Sequence, residues 1–237
     1  MDTMISIITQ HMDEQGLISY TGGKDNPERY VDTIGLVCPF LSLYAKIYSK
    51  SQYAQIAYDQ LKFYHDCGML SDTCLPNHAV NKHTKLPLGV FGWGRGTVWY
   101  TLGLIDTFAE MTDEKIKTDI LHWITEAAET YKHYQHSDGG FGSILQRIDT
   151  YDSSATAGLA YFYARCAQLL DQSAYRCVAH RCFHKLRSVT RITGKIDWCQ
   201  GDTKGIGVFA QTYDVMPFAQ GLTLRALAID ERNTPHG

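Results

Sequence analysis

The sequence has neither a basic run nor a long apolar run, and each absence excludes a class of partner. Lys and Arg number 22 against 25 Asp and Glu, so the formal net charge is −3. With a pI near 6.3 and no basic cluster, nucleic acid is not the expected partner. No unbroken apolar run reaches about 18 residues, the length that a membrane-spanning helix needs. We therefore expect no membrane partner either.

Cysteine pairs and phosphate-binding motifs are also missing. The seven cysteines include no Cys-x-x-Cys pair, which is typical of reduced thiols in the cytoplasm. Asp2 precedes the first short apolar run and no basic stretch does, so we expect no signal peptide. Neither a Gly-rich nucleotide motif nor a Gly-x-Ser-x-Gly motif occurs, and we expect no cofactor.

A helical unit recurs along the chain instead. Apolar helices are predicted to begin near Asp32, Gly94, Asp152 and Pro217, each about 60 residues after the last, which is typical of a helical repeat or toroid. Each follows a Gly-rich loop with aromatic residues and precedes a more amphipathic helix. Small and apolar residues surround the first helix of each pair, which predicts that it is buried while its partner is exposed.

This pattern predicts an all-α fold. We expect an (α/α)6-barrel-like toroid of helix hairpins that is incomplete, because only about eight helices are predicted and six pairs would close the ring. No linker interrupts the composition, so residues 1–237 are predicted to form a single domain. Residues 190–216 are expected to form short strands or loops. The predicted helices cover 3–14, 33–49, 51–66, 95–110, 113–135, 153–170, 172–188 and 217–229.

The loops before the buried helices are expected to meet at one end of the toroid. They carry carboxylates, one arginine and several aromatic rings, a combination that suits an acidic carbohydrate. A sugar can stack on tryptophan, and an arginine can hold a carboxylate through two parallel hydrogen bonds. The residues concerned are Asp32, His78, Arg95, Asp152, Asp202 and Asp214, with Trp93, Trp99, Tyr151, Trp198 and Tyr213.

Each of these residues also has a purely structural interpretation. Asp32 and Asp152 directly precede predicted helices and could be N-caps. Arg95 could be a buried ion-pair partner, and Trp93 and Trp99 could belong to the core.

A second cluster, Cys-Val-Ala-His-Arg-Cys-Phe-His at 177–184, contains residue types that bind zinc. It lies on a predicted outer helix without a second ligand pair at zinc spacing. We therefore predict no metal site there.

Five segments in order resemble glycoside hydrolase families 88 and 105, the unsaturated glucuronyl and unsaturated rhamnogalacturonyl hydrolases. The most specific is Gly-Trp-Gly-Arg-Gly-Thr-Val-Trp at 92–99, which resembles a Trp-[Ala/Gly]-Arg-Gly-x-x-Trp signature. Segments around Asp32, His78 and Asp152, together with the closing helix 219–228, resemble the family in the same order.

The resemblance implies an (α/α)6 barrel and an unusual hydrolysis of oligosaccharides that carry a 4,5-unsaturated uronic acid at the non-reducing end. Asp32 would be the general acid and base that hydrates the vinyl ether. His78, Asn81 and Arg95 would bind the substrate, Trp93 and Trp99 would shape the sugar site, and Asp152 would order its rim.

Two departures from the family pattern keep a second hypothesis open. Asn81 stands where the family has aspartate, and family members have about a third more chain, with the shortfall of this chain expected at its N-terminal end. An open ring would expose apolar surface, so a homo-oligomer is one expectation. The alternative function is a weakly active or inactive carbohydrate-binding relative that serves polysaccharide metabolism. A helical scaffold that binds proteins is a third reading, but the outer helices lack the apolar or charged stripes it would need.

Overall fold

The computed structural model describes residues 2–71 and 73–231, and within them the chain is predominantly helical. Eight α-helices occur in these residues, at the positions predicted to within a few residues. They are α1 (Asp2–Gln10), α2 (Val31–Tyr48), α3 (Ser51–Cys67), α4 (Gly94–Glu110), α5 (Glu114–Tyr131), α6 (Ser153–Leu169), α7 (Ser173–Ser188) and α8 (Pro217–Glu231). A 3-10 turn, Lys132–Tyr134, follows α5.

The first helix is shorter than predicted. It ends at Gln10 rather than near residue 14, and the chain then turns back so that Met12 pairs with Ile18. The turn contains Gly16 with a φ of +79°, a conformation that favours glycine. Asp13 accepts backbone hydrogen bonds from Gln15 and Leu17 across this turn, so it cannot continue the helix.

Five short strands accompany the helices within the described residues. The antiparallel sheet consists of β1 (Glu28–Tyr30), β2 (Ala79–Asn81) and β3 (Pro87–Leu88), with Tyr30 opposite Ala79. The sequence pattern did not predict this sheet, because two- or three-residue strands are too short to show alternation. The second ribbon pairs β4 (Cys199–Gln200) with β5 (Tyr213–Asp214), and it confirms the short strands expected within 190–216.

The chain divides into two compact units. Unit 1 comprises residues 1–91 and 99–125, and unit 2 comprises residues 92–98 and 126–237. The prediction of one domain over 1–237 stays a prediction.

Unit 1 depends on close backbone contact at glycine. A Cβ added to Gly35 of α2 would lie 2.6 Å from the Trp99 carbonyl oxygen of α4, and one added to Gly103 would lie 2.4 Å from Ile34. Helix α3 packs on α2 through Ala57, Gln60, Leu61 and Tyr64, which are spaced as one helical face. The predicted alternation of a buried and an amphipathic helix is present in this pair.

Unit 2 is organised around α6. Fourteen of the 17 residues of this helix are buried, and both α7 and α8 pack against it. A Cβ on Gly158 would lie 2.2 Å from a methyl carbon of Val98, so α6 and the Val98 side chain are in close contact at this glycine. Helix α7 buries only the face with Tyr175, Ala179, Cys182 and Leu186, as expected for an outer helix.

Helix α2 is long and apolar enough to cross a membrane by length and composition alone, with a mean hydropathy of 1.2. Core helices meet the same criterion. This helix carries Asp32 and Lys46 and packs along α3 in unit 1, which favours a core helix.

We expect Gly35→Ala to lower the free energy of unfolding by about 1–3 kcal/mol, because the new methyl group meets backbone atoms that cannot rotate away. Gly221→Ala is the matched control. It lies on an exposed position of α8 with nothing within 4 Å of a new Cβ, and alanine there should raise stability by up to about 1 kcal/mol. Urea unfolding measures the change in the free energy of unfolding for both variants. Equal effects of the two substitutions would contradict the close approach of α2 and α4.

Candidate functional site

Asp32 lies in the first turn of α2 but is not its N-cap. The cap position is Tyr30, in extended conformation and without a side-chain capping hydrogen bond. The Val31 N–H donates to the carbonyl oxygen of His78 at 3.0 Å, so a backbone group satisfies this helix start. The N-cap interpretation of Asp32 is therefore wrong. Its side chain is 15% exposed and lies where the helix dipole favours a negative charge.

His78 is the side chain that the structure brings next to Asp32. Its Nε2 lies 3.8 Å from Asp32 Oδ2, an ion-pair separation when the imidazole is protonated, and its side chain is only 3% exposed. The Tyr30 ring meets the imidazole edge-on, with centroids 5.7 Å apart. The sheet explains this geometry, because pairing of Tyr30 with Ala79 puts the residue before β2 beside the start of α2.

A buried hydrogen-bond network holds the segment that carries His78. The Tyr64 hydroxyl donates to Asn77, where the carbonyl oxygen at 2.7 Å and Oδ1 at 2.9 Å are both within reach. The Asn77 amide in turn donates to the carbonyl oxygen of Ala79 at 2.6 Å. Burial raises the pKa of Tyr64, and the negative charge of Asp32 adds to the rise, so the phenol stays a donor. No feature of the sequence pointed to Tyr64. Asn77 directly precedes His78, and that position was the one signal that could have drawn attention to it.

A buried ion cluster also fixes the sheet. Asp13 Oδ2 lies 2.6 Å from both Arg29 Nη2 of β1 and Lys82 Nζ just after β2. Burial alone would raise the pKa of Asp13. The hydrogen bonds from Lys82 and from the Leu17 N–H, with the charge of Arg29, outweigh it and lower that pKa. The sequence did not indicate this cluster, since its members are far apart along the chain.

The structure commits the amide oxygen of Asn81 to a turn. Asn81 Oδ1 accepts hydrogen bonds from the N–H groups of His83 and Thr84 at 3.0 and 3.1 Å, which closes the turn after β2.

Trp99 is half-buried on α4, and its backbone forms the contact with Gly35, three residues after Asp32. Asp32, His78, Asn81 and Trp99 are all in unit 1.

Asp152, in unit 2, is the aspartate that does cap a helix. Its Oδ1 accepts the N–H of Ser154 at 2.9 Å and the N–H of Gln200 at 3.1 Å, and the Ser154 hydroxyl donates to the same carboxylate. The side chain is fully buried, and burial raises its pKa against the opposing charge of Arg95 and these hydrogen bonds. The N-cap interpretation is correct here, and the ordering role that the resemblance implies for Asp152 stays a prediction.

Arg95 and Trp93 support the same loop of unit 2. Arg95 donates to the backbone carbonyl oxygens of Gln200 at 2.6 Å and Gly201 at 2.7 Å, and it is 2% exposed. Trp93 is 1% exposed, and its Nε1 donates to Gln200 Oε1 at 3.1 Å. The core interpretation therefore fits Trp93, whereas Arg95 is buried but donates to backbone carbonyl oxygens rather than to the carboxylate of an ion pair. The predicted contact of both residues with substrate stays a prediction. Gln200 is the partner that the sequence did not reveal.

The side chains of the zinc-like segment 177–184 contact different partners. Cys182 is buried and receives a hydrogen bond from Gln135, and His180 Nε2 lies 3.1 Å from Asp230 Oδ1. Cys177 is exposed. Within residues 2–71 and 73–231, no group of three or more His, Cys, Asp or Glu side chains is arranged to hold a metal ion.

A sequence model of Glycosyl Hydrolase Family 88 matches residues 3–232. The chain belongs to glycosyl hydrolase family 88. The resemblance that rested on the Trp93–Arg95–Trp99 signature is thereby confirmed. Among curated proteins, no sequence matches.

Solved structures of family 105 and family 88 enzymes share the fold. A structure described as a possible member of family 105 from Klebsiella pneumoniae aligns with a TM-score of 0.86 at 19% identity, over 97% of this chain and 63% of the other. A possible member of family 105 from Salmonella enterica aligns with a TM-score of 0.87 at 18% identity, over 98% of this chain and 65% of the other. The unsaturated glucuronyl hydrolase from Bacillus sp. GL1 is described as responsible for the degradation of glycosaminoglycan. It aligns with a TM-score of 0.73 at 17% identity, over 97% of this chain and 66% of the other.

These similarities confirm the predicted fold class, a toroid of helix hairpins, and at such identities they show the fold alone. The family 88 chain described here spans just under two thirds of the length of the Klebsiella and Salmonella structures.

We expect Asp13→Asn to destabilise the protein at neutral pH by about 2 kcal/mol, because two buried cations lose their counter-charge while nearby solvent screens part of the loss. The folded pKa of Asp13 is lowered, so its stabilisation is present above about pH 4 and is lost as the pH falls through that folded value. The difference in the free energy of unfolding between wild type and Asp13→Asn, measured by denaturant unfolding, should therefore become smaller in acid. Asp149→Asn, an exposed aspartate paired with Arg147, is the control and should change little.

We expect Arg95→Lys to destabilise unit 2 by about 1–3 kcal/mol, since an ammonium group cannot reach both carbonyl oxygens in the fixed geometry of a guanidinium. Denaturant unfolding measures this. Unchanged stability with weakened binding of an acidic sugar would instead assign Arg95 to the ligand.

Proposed function

We propose that this family 88 chain is a hydrolase of oligosaccharides with a 4,5-unsaturated uronic acid at the non-reducing end. The observation that carries the proposal is the pair formed by Asp32 and His78: a partly exposed carboxylate in a helix start that it does not cap, 3.8 Å from a buried imidazole. Membership of the family supports the class of reaction, and the unsaturated glucuronyl hydrolases that share the fold support the class of substrate.

In the proposed reaction Asp32 acts first as an acid and then as a base. Its carboxyl proton adds to C4 of the vinyl ether, which leaves an oxocarbenium-like centre at C5. The resulting carboxylate takes a proton from water as the water oxygen bonds to C5. The hemiketal formed in this way opens, the bond to the aglycone breaks, and the aglycone oxygen leaves with a proton.

The surroundings of Asp32 suit both steps. The dipole of α2 stabilises the carboxylate that remains after proton donation. A protonated His78 would do the same, and the network through Asn77 and Tyr64 keeps the imidazole within 3.8 Å of Asp32. A single carboxyl group is enough for this hydration, whereas displacement at the anomeric carbon needs two.

The second candidate function is carbohydrate binding without catalysis. Asn81 favours it, because an amide replaces the aspartate of the family pattern and its oxygen is committed to the turn at His83 and Thr84. Binding of acidic sugars by a protein that does not hydrate them would be the result in that case.

The proposal extends to location and assembly. The seven cysteines include no Cys-x-x-Cys pair, and Cys38, Cys166, Cys182 and Cys199 are buried thiols, which supports a reducing compartment such as the cytoplasm. Leu36, Leu43 and Ile47 form an exposed apolar stripe along one face of α2, which supports self-association as a homo-oligomer.

We expect Asp32→Asn to lower kcat/KM for an unsaturated uronyl disaccharide about 10²–10⁴-fold, since an amide cannot donate and then accept the proton. The measurement is the loss of ultraviolet absorbance as the vinyl ether is hydrated.

Asp171→Asn is the matched control. This exposed aspartate lies between α6 and α7 with a φ of +49°, a conformation that asparagine also adopts, so its activity should equal that of the wild type. If folded wild-type protein leaves the absorbance of glucuronyl and galacturonyl substrates unchanged, the hydrolase proposal is wrong and binding without catalysis takes its place.

A further inference from the structure

A small cavity lies within unit 1, between the end of α1, the loop that follows it and the first turns of α2. Its volume is about 160 Å³. Its apolar walls are the side chains of Ile7, Ile8, Ile18 and Val37. Pockets for whole ligands measure about 300–1,000 Å³, so this cavity suits one substituent of a ligand rather than a complete sugar ring.

Two polar atoms line the same cavity without a hydrogen-bond partner. Thr33 Oγ1 and His11 Nδ1 are buried and make no hydrogen bond with any of residues 2–71 and 73–231, and the Thr33 residue is only 3% exposed. A helical threonine such as Thr118 donates to the carbonyl oxygen four residues earlier. For Thr33 that residue is Arg29, which lies in β1 before the helix begins. The Thr33 hydroxyl is therefore available to a ligand.

Backbone hydrogen bonds hold the walls of the cavity in place. The Ser19 N–H donates to the carbonyl oxygen of His11 at 3.0 Å, which joins the loop to the end of α1. The Ile18 N–H donates to Gln60 Oε1 of α3 at 2.8 Å. Because the loop is already ordered, a ligand loses little affinity to the ordering of this segment.

The cavity adjoins the Asp32–His78 pair within the same unit. Thr33 directly follows Asp32 on α2, so their Cα atoms are about 3.8 Å apart. Tyr20 also lines the cavity and contacts Tyr30 with ring centroids 5.6 Å apart, and the Tyr30 ring contacts His78 at 5.7 Å. With an unsaturated uronic acid at Asp32, the substituent expected here belongs to the sugar to which that acid is joined.

We propose that this cavity binds an acetyl group carried by the second sugar of the substrate. Among the described residues neither lysine nor arginine lines it, so a carboxylate or sulfate would be buried there without a counter-charge. A plain alkyl group would leave Thr33 and His11 without partners. An acetyl group provides a methyl for the apolar walls and a carbonyl oxygen that accepts from the Thr33 hydroxyl. The inference rests on the proposed function for its ligand class and adds a preference for acetylated substrates.

Two kinds of acetyl group share this chemistry. An N-acetyl group also carries an N–H, which can donate to His11 Nδ1 when that nitrogen is unprotonated, whereas an O-acetyl group has no such donor. The experiment therefore includes both linkages.

The experiment measures binding of three unsaturated uronyl disaccharides that differ at one carbon of the second sugar, which carries an N-acetyl group, an O-acetyl group or a hydroxyl. Titration calorimetry uses Asp32→Asn protein, so that the disaccharides are not consumed. We expect an acetylated disaccharide to bind about tenfold more tightly than the hydroxyl form, from burial of one methyl group and one added hydrogen bond. A preference for one acetylated form identifies the linkage, and a preference for both assigns recognition to the shared acetyl group.

Two further substitutions in the Asp32→Asn protein test whether the cavity causes this preference. Thr33→Val keeps the shape and removes the hydroxyl, so the preference should fall about fivefold while the melting temperature stays the same or rises, because a buried polar atom without a partner is lost. Val37→Phe fills the cavity and should abolish the preference. Thr118→Val is the matched control, because its hydroxyl bonds to Glu114 on an exposed part of α5, and the preference should be retained.

Equal affinities for the three disaccharides would overturn the acetyl site, as would a preference that Thr33→Val and Val37→Phe leave intact or a protein that binds none of the three. Hydration of the vinyl ether is measured separately, with wild-type protein. If the preference depends on the cavity but no vinyl ether is hydrated, the acetyl site is supported and the hydrolase proposal fails. If the vinyl ether is hydrated without any acetyl preference, the hydrolase proposal is supported and the acetyl site fails.

Discussion

The structure depends on how the N–H groups at the starts of its buried helices find hydrogen-bond acceptors. A helix start leaves several N–H groups without partners in the helix, and burial makes each unsatisfied group costly. At α6 an aspartate side chain, Asp152, provides the acceptor together with the carbonyl oxygen of Trp198. At α2 the carbonyl oxygen of His78 does so, delivered by a three-stranded sheet. The acceptor is therefore a backbone group at the start of α2 and the carboxylate of Asp152 at the start of α6.

The same arrangement explains why residues remote from Asp32 matter to it. The carbonyl oxygen that receives the Val31 N–H belongs to the residue whose imidazole faces Asp32, so one backbone segment both completes the helix and positions the side chain. Tyr64, Asn77 and the buried Asp13 cluster hold that segment through hydrogen bonds and ion pairs. The geometry at Asp32 therefore rests on the sheet and on α3 as much as on α2.

Unit 2 shows how a signature motif can serve the fold. Arg95 and Trp93 belong to the segment that most resembles the family, yet both direct their polar atoms to Gln200 and its neighbours. The loop that they fix carries Trp198, whose exposed ring is held in a strained conformation.

The sequence by itself determined the positions of the helices and the family, because periodicity and glycine positions are local properties of the chain. The predicted alternation of a buried and an amphipathic helix holds for α6 and α7, whereas α8, which was also predicted to be buried, exposes Leu224 and Leu227. The sequence marked Asp32, His78 and Asp152 as residues of interest. It could not tell which of the two aspartates caps its helix, since both stand at a predicted helix start and differ only in what a distant segment supplies. Tyr64, Asn77, Gln200 and the Asp13–Arg29–Lys82 cluster were likewise decided by tertiary structure, because hydrogen bonds and ion pairs between remote residues leave no periodic trace in the sequence. The three-stranded sheet of β1, β2 and β3 was not predicted either, because its strands are too short to show alternation.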